Sequence, residues 1–171
     1  MNAFRVIAIP SEVATEVRTT NTSPRYGHPA SHKIASGYGP CRHCLRTFNV
    51  GKEYRTLFTY NPFTGIEELP LPGPIFIHTE NCERYPENAG YPSDLLSHAA
   101  ILSGYAKGEH LVTKVHVENN GGHEAAVEHL LQRSDIDYIE VRDKVAGCFD
   151  FRIERATNDT AASGPEKELK C

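Results

Sequence analysis

Hydrophobic positions along the 171-residue chain fall into short blocks, most of which predict strands. Strict alternation in the last block places Phe149, Phe151 and Ile153 on one face of a strand over residues 148–154. Apolar or β-prone blocks predict further strands at residues 4–9, 54–60, 75–78 and 136–141, and a hairpin over residues 99–117.

Two segments have the spacing of helices instead. Ser11 is a suitable N-cap for a helix over about residues 12–18, in which Val13 and Val17 are four positions apart. A second helix over about residues 123–133 follows a turn rich in Asn and Gly. The first arm of the hairpin has a helical alternative, with Ser93 or Asp94 as its cap.

The length and the apolar content are typical of one domain, which we place at residues 1–156. Its predicted class is α+β, with a mixed or mostly antiparallel sheet of about six strands, two helices and a Cys/His metal-knuckle region. Residues 19–40 are rich in Thr, Ser, Pro and Gly and predict a long loop. Residues 157–171 have the composition of a disordered tail.

Charge is distributed unevenly along the chain. The net charge is −4, which argues against general nucleic-acid binding. Residues 25–55 nevertheless carry six basic and one acidic side chain, a balance of +5, whereas residues 56–154 carry seven and sixteen, a balance of −9. The basic segment is either a weak site for nucleic acid or another phosphate-bearing ligand, or a set of cations that offsets thiolates at a metal. We favour the second interpretation.

Five cysteines are an odd number in a chain that begins without a secretion-signal pattern, so a disulfide framework is not expected. Reduced thiols and a cytoplasmic location are the expectation. No apolar run reaches the roughly 18 residues that a membrane helix needs. Cys148 is expected to be a small core residue and Cys171 an exposed thiol of the tail.

The other three cysteines form a spacing pattern with one histidine. Cys41 and Cys44 are separated by two residues, and after 33 further residues His78 and Cys82 are separated by three. Each pair can direct two donor atoms at one ion, and three thiolates with an imidazole favour zinc over magnesium or calcium. The sequence therefore predicts a closed Cys3His zinc site of the structural kind.

Other interpretations of this pattern stay open. His43 is a substitute ligand if His78 points into the core. In an open, catalytic zinc site Cys82 would be displaced from the metal, and Glu80 would act as a base. Cys41 and Cys44 could form a redox pair without metal, and a chain that binds no metal at all is the remaining alternative.

Several segments resemble a bacterial family known as domain of unknown function 1203. The resemblance runs from about residue 4 to residue 156, and it implies a small bacterial cytoplasmic protein without assigned activity. It brings no catalytic residues with it. The matching segments are residues 40–45, 60–63 and 73–78 with Cys82, and the closing residues 147–156.

Together these observations favour a zinc-stabilised domain that binds an unknown protein or small ligand, with no membrane partner. The first alternative is a metal- or thiol-dependent enzyme that uses the Cys41, Cys44, His78 and Cys82 site. The second is weak nucleic-acid or phosphate-ligand binding through residues 25–55. Catalytic residues and substrate are not indicated by the sequence.

Overall fold

The structure of the chain is a computed structural model that describes residues 3–63 and 72–156. Over these residues the fold is α+β, with eight strands and two α-helices. A short 3-10 turn, Ser93–Leu95, precedes the fifth strand. The elements in chain order are β1 (Phe4–Ile7), α1 (Ser11–Thr20), β2 (Ser31–Ile34), β3 (Tyr54–Tyr60), β4 (Gly73–His78), β5 (Ala100–Ala106), β6 (His110–Val117), α2 (His123–Leu131), β7 (Tyr138–Asp143) and β8 (Phe149–Arg155).

The strands form two antiparallel sheets. The larger sheet has five strands in the order β1-β8-β7-β5-β6, so the first described strand pairs with the last. The smaller sheet has three strands in the order β2-β3-β4. Each sheet has its own apolar cluster, because alternating side chains on one face of a strand pack against a helix or loop.

One cluster covers a face of the larger sheet and includes α2, where Val127 and Leu130 are buried. The second cluster joins the smaller sheet to α1, where Ala14 and Val17 are buried. Phe149 from β8 also belongs to the second cluster, so the larger sheet contributes to both. The second cluster contains Cys41 and Cys44. The predicted metal knuckle, residues 41–44, is therefore part of a core.

The predicted fold class is confirmed. The hairpin over residues 99–117 forms as β5 and β6, and the helical alternative contributes only the 3-10 turn. The loop predicted at residues 19–40 is wrong in one part, since β2 lies within it and pairs with β3. The four residues of β2 are partly or fully exposed, so their sequence shows no alternation of apolar and polar side chains that would predict a strand. The predicted tail lies outside the described residues.

Two local predictions need correction. Cys148 is half-buried, and its thiol donates to the Ala146 carbonyl at 3.8 Å. The reason is that Cys148 lies in the turn before β8, which begins at Phe149. Ser11 begins α1 but makes no capping bond, since its hydroxyl contacts the His43 ring instead.

No helix among the described residues is both long and apolar enough to cross a membrane.

Candidate metal centre

The structure brings the four predicted ligand residues together at one end of the smaller sheet. One donor atom from each of Cys41, Cys44, His78 and Cys82 lies within 4.8 Å of the other three, and the cluster could hold a metal ion. Cys41, Cys44 and His78 are buried, and Cys82 is half-buried. Side chains 41 residues apart in sequence therefore converge on one point.

A tight turn positions the first two thiols. The Leu45 amide donates to the Cys41 carbonyl at 2.8 Å, and the Cys41 amide donates to the Arg46 carbonyl at 2.9 Å. Leu45 has a φ of 55°, the left-handed conformation that reverses the chain within such a turn. The Arg42 amide donates to the Phe76 carbonyl at 2.9 Å, which fixes the turn to β4.

The second pair lies at the end of β4 and just beyond it. His78 is the last residue of β4, and Cys82 follows in a segment without helix or strand. The Cys41 and Cys82 sulfurs are 3.8 Å apart, and the Cys44 sulfur is 3.4 Å from His78 Nδ1. The His78 amide also donates to the Cys41 sulfur at 3.3 Å. Each half of the motif thus contacts the other half directly.

Polar groups surround these four side chains. His78 Nε2 lies 3.4 Å from a carboxylate oxygen of Glu53, so the ring is oriented with Nδ1 towards the thiols. Arg18 on α1 donates to the His78 carbonyl at 3.1 Å and to the Cys82 sulfur at 3.4 Å. His43 Nδ1 lies 3.3 Å from the Cys82 sulfur, while its Nε2 contacts Ser11. His43 is therefore a neighbour of the cluster.

These contacts set the charge states of the cluster. Burial raises the pKa of the Cys41 thiol, and its contacts with Cys44 and Cys82 raise it further. Hydrogen bonds from Cys41 and Cys44 strongly lower the pKa of Cys82. Burial lowers the pKa of His78, but contacts with the Cys44 and Cys82 sulfurs outweigh burial and raise it to about 10. Without a metal these contacts favour ionisation of Cys82 and protonation of His78.

A buried ion pair lies next to the knuckle. Arg42 Nη2 is 2.8 Å from Asp150 Oδ1, and neither side chain is more than 8% exposed. Arg42 also donates to the carbonyls of Phe149, Gly39 and Pro40. Burial raises the pKa of Asp150 to about 6, although the Arg42 charge lowers it in part. Arg42, which lies between Cys41 and Cys44 in sequence, thus connects the knuckle to β8 of the larger sheet.

Several cations of the basic segment make internal contacts. Arg42 is buried, Arg55 stacks on the Phe76 ring at 4.0 Å, and Arg46 is hydrogen-bonded to Cys44. The Cys44 contact raises the pKa of Arg46. Of these three cations, only Arg46 interacts with a thiol of the cluster, since Arg42 is paired with Asp150 and Arg55 with an aromatic ring. Glu80, the base in the open-site alternative, is exposed and is not a member of the cluster.

Comparison with known proteins identifies the family of the chain. A family model described as a protein of unknown function, DUF1203, matches residues 38–155 of the chain. The chain belongs to the DUF1203 family. The resemblance noted from the sequence is thereby confirmed. Searches among curated proteins and among solved structures find no match.

The segment shared with the DUF1203 family contains all four cluster residues and both members of the buried ion pair. It leaves out β1, α1 and β2, and with them the Arg18 contacts to the cluster. The family description assigns no activity, so a function has to be argued from the site.

Proposed function

We propose that the chain is a zinc-stabilised domain with a binding role, in which Cys41, Cys44, His78 and Cys82 hold one Zn²⁺. The observation that carries the proposal is the approach of four donor atoms to within 4.8 Å of one another. Three thiols and one imidazole are a donor set that suits zinc, because soft sulfur ligands select it over magnesium and calcium.

The closest donor pairs have the separations of a tetrahedral zinc site. With Zn–S near 2.3 Å and Zn–N near 2.0 Å, two sulfurs are about 3.8 Å apart and a sulfur and a nitrogen about 3.5 Å. The Cys41–Cys82 pair lies at 3.8 Å and the Cys44–His78 pair at 3.4 Å. His78 uses Nδ1 towards the thiols while Glu53 contacts Nε2, an arrangement that orients histidine ligands in metal sites.

A structural role fits this donor set better than catalysis does. Four protein donors complete a tetrahedron, whereas a catalytic zinc keeps a position for water or substrate. Cys41 and Cys44 belong to an apolar core cluster, where the ion would hold core segments together. Surfaces away from the metal would then carry the binding role, with a protein or a small molecule as partner.

Metal content is the direct test. Protein produced without added zinc and dialysed should contain about one equivalent of zinc per chain by elemental analysis. Removing it with a strong chelator should lower the thermal midpoint by about 10 °C or more, because a structural zinc contributes several kcal/mol to folding. Metal-free protein with an unchanged midpoint would contradict the proposal.

A pair of cysteine variants separates ligation from loss of any thiol. Cys44→Ser should lose the metal and the chelator-sensitive part of stability, because a hydroxyl is a poor zinc ligand. Cys148→Ser is the matched control, since Cys148 is half-buried and lies outside the cluster. Its metal content and midpoint should equal those of the wild type. X-ray absorption should show three sulfurs and one nitrogen; an exchangeable water in the coordination sphere would favour the enzyme alternative.

A further inference from the structure

The three thiols of the cluster differ in their access to solvent. Cys41 has no exposed surface and Cys44 is 6% exposed, but Cys82 is only half-buried. Cys82 is therefore the most solvent-accessible of the three cysteines. Access of this kind decides which thiolate of a cluster reacts with an oxidant.

A second thiol lies beside the Cys82 sulfur. The Cys41 sulfur lies 3.8 Å from that of Cys82, so an oxidised Cys82 would have a second thiol beside it. Redox-responsive cysteines are commonly accessible thiols with such a resolving partner next to them.

The two cysteines are held in different ways. Cys41 is fixed by its amide bond to the Arg46 carbonyl and by the bond from the His78 amide to its sulfur. Cys82 lies in residues 79–92, which contain no helix or strand. A disulfide needs two sulfurs about 2.05 Å apart, so the two sulfurs have to approach each other from 3.8 Å.

We propose that Cys82 is an oxidation site, at which a peroxide forms a Cys41–Cys82 disulfide and thereby releases the metal. This inference rests on the proposed zinc site. It assigns to that site a response to hydroperoxides, with hydrogen peroxide as the simplest oxidant. Loss of Cys41 and Cys82 as ligands leaves only Cys44 and His78, and two donors do not retain a structural zinc.

The chemistry has two steps. The Cys82 sulfur attacks one peroxide oxygen, the O–O bond breaks, and the departing hydroxide takes up a proton to leave as water; Cys82 becomes a sulfenic acid. The Cys41 sulfur then attacks the Cys82 sulfur, the S–O bond breaks, and a second water leaves with a proton from solvent. In sum, two thiolates lose two electrons, hydrogen peroxide gains them, and two protons complete two waters.

The test uses the full chain, loaded with zinc and freed of excess metal. Hydrogen peroxide is added, released zinc is followed with a chromogenic chelator, and the disulfide is mapped by mass spectrometry after blocking free thiols. We expect about one equivalent of zinc to be released with a Cys41–Cys82 disulfide, and thiol reduction to restore metal binding. Zinc retained by a chain with reduced Cys82, or a Cys41–Cys44 disulfide beside a reduced Cys82, would overturn the inference.

Two variants sharpen the result. Cys82→His keeps a zinc donor but cannot form the disulfide, so its zinc release should be about tenfold slower or more. Release at the wild-type rate from zinc-loaded Cys82→His would refute the inference. If this variant does not bind zinc, the disulfide mapped in the oxidised wild type decides whether the inference holds. Cys148→Ser should respond as the wild type does. The initial zinc content separates the two proposals. A purified chain that contains no zinc and cannot be loaded with it contradicts the metal site itself. A zinc-loaded chain that resists peroxide contradicts only the oxidation of Cys82.

Discussion

Arg42 and Asp150 show how a single residue connects the knuckle to the rest of the molecule. We expect Arg42→Met to lower the free energy of unfolding by about 3–5 kcal/mol, because it leaves a buried carboxylate without its cation. Urea denaturation of the zinc-loaded proteins measures the loss, with metal content checked in parallel. Arg133→Met is the matched control, since its pair with Asp135 is 43% and 55% exposed. It should cost less than about 1 kcal/mol, and equal losses would contradict the expectation.

The same carboxyl predicts a pH dependence of stability. The pKa of Asp150 is raised by burial from 3.8 to about 6, so the folded state holds this proton more tightly than the unfolded state. The stability that the protonated form contributes is fully present below about pH 4 and is lost as the pH rises through about 6, a change on the order of 3 kcal/mol at most.

Denaturation of the wild type and Asp150→Asn at several pH values between 4 and 7 isolates this effect. Groups other than Asp150, the metal ligands included, titrate in both proteins and cancel in the difference. The wild type should lose stability relative to the variant as the pH rises. A difference that stays constant, or that changes in the opposite direction, would rule out a raised pKa at Asp150.

At the residue scale, the sequence indicates the cluster but not its surroundings. The spacings of Cys41 and Cys44, and of His78 and Cys82, are local patterns in which a short turn can direct two donor atoms to the same side. The structure brings these four side chains together. Glu53 directly precedes β3 and reaches His78 because Arg55 of β3 pairs with His78 of β4, a relation that no short motif encodes. Metal binding itself stays a prediction.

At the element scale, α1 covers the cluster through Arg18. We expect Arg18→Ala to weaken zinc binding by about tenfold or more, because bonds to ligand residues orient them and their loss typically costs 10–100-fold in affinity. Competition with a chromogenic chelator measures the affinity. Glu16→Ala in the same helix is the control, since Glu16 is exposed, and it should bind zinc as the wild type does. Equal affinities of all three proteins would show that α1 does not support the site.

Strand prediction succeeded where alternation was strong and failed where it was absent. β5 and β6 follow from an apolar pattern with a turn between them, and the structure has them as a hairpin. β2 is short and exposed, and it becomes a strand because β3 offers it an edge. Its formation depends on tertiary pairing, which propensity and pattern do not report.

At the scale of the whole molecule, the two larger apolar clusters of the described residues predict two levels of response to metal removal. Chelation should increase amide hydrogen exchange in β3, β4 and α1, which pack around the thiols. Amides of β5 and β7 should keep their protection longer, because these strands lie in the other cluster and pair with each other. Mass spectrometry of exchanged peptides, with and without chelator, measures this. A uniform increase across both sheets would mean that the molecule opens as one unit.

The pairing of β1 with β8 has a consequence for the order of events during synthesis. β1 spans Phe4–Ile7 and pairs with β8 at Phe149–Arg155, so β1 leaves the ribosome long before its partner. The four thiol and imidazole donors, in contrast, are all present once residue 82 has emerged. A nascent chain can therefore capture its ion and fix the smaller sheet while the larger sheet still lacks four of its five strands.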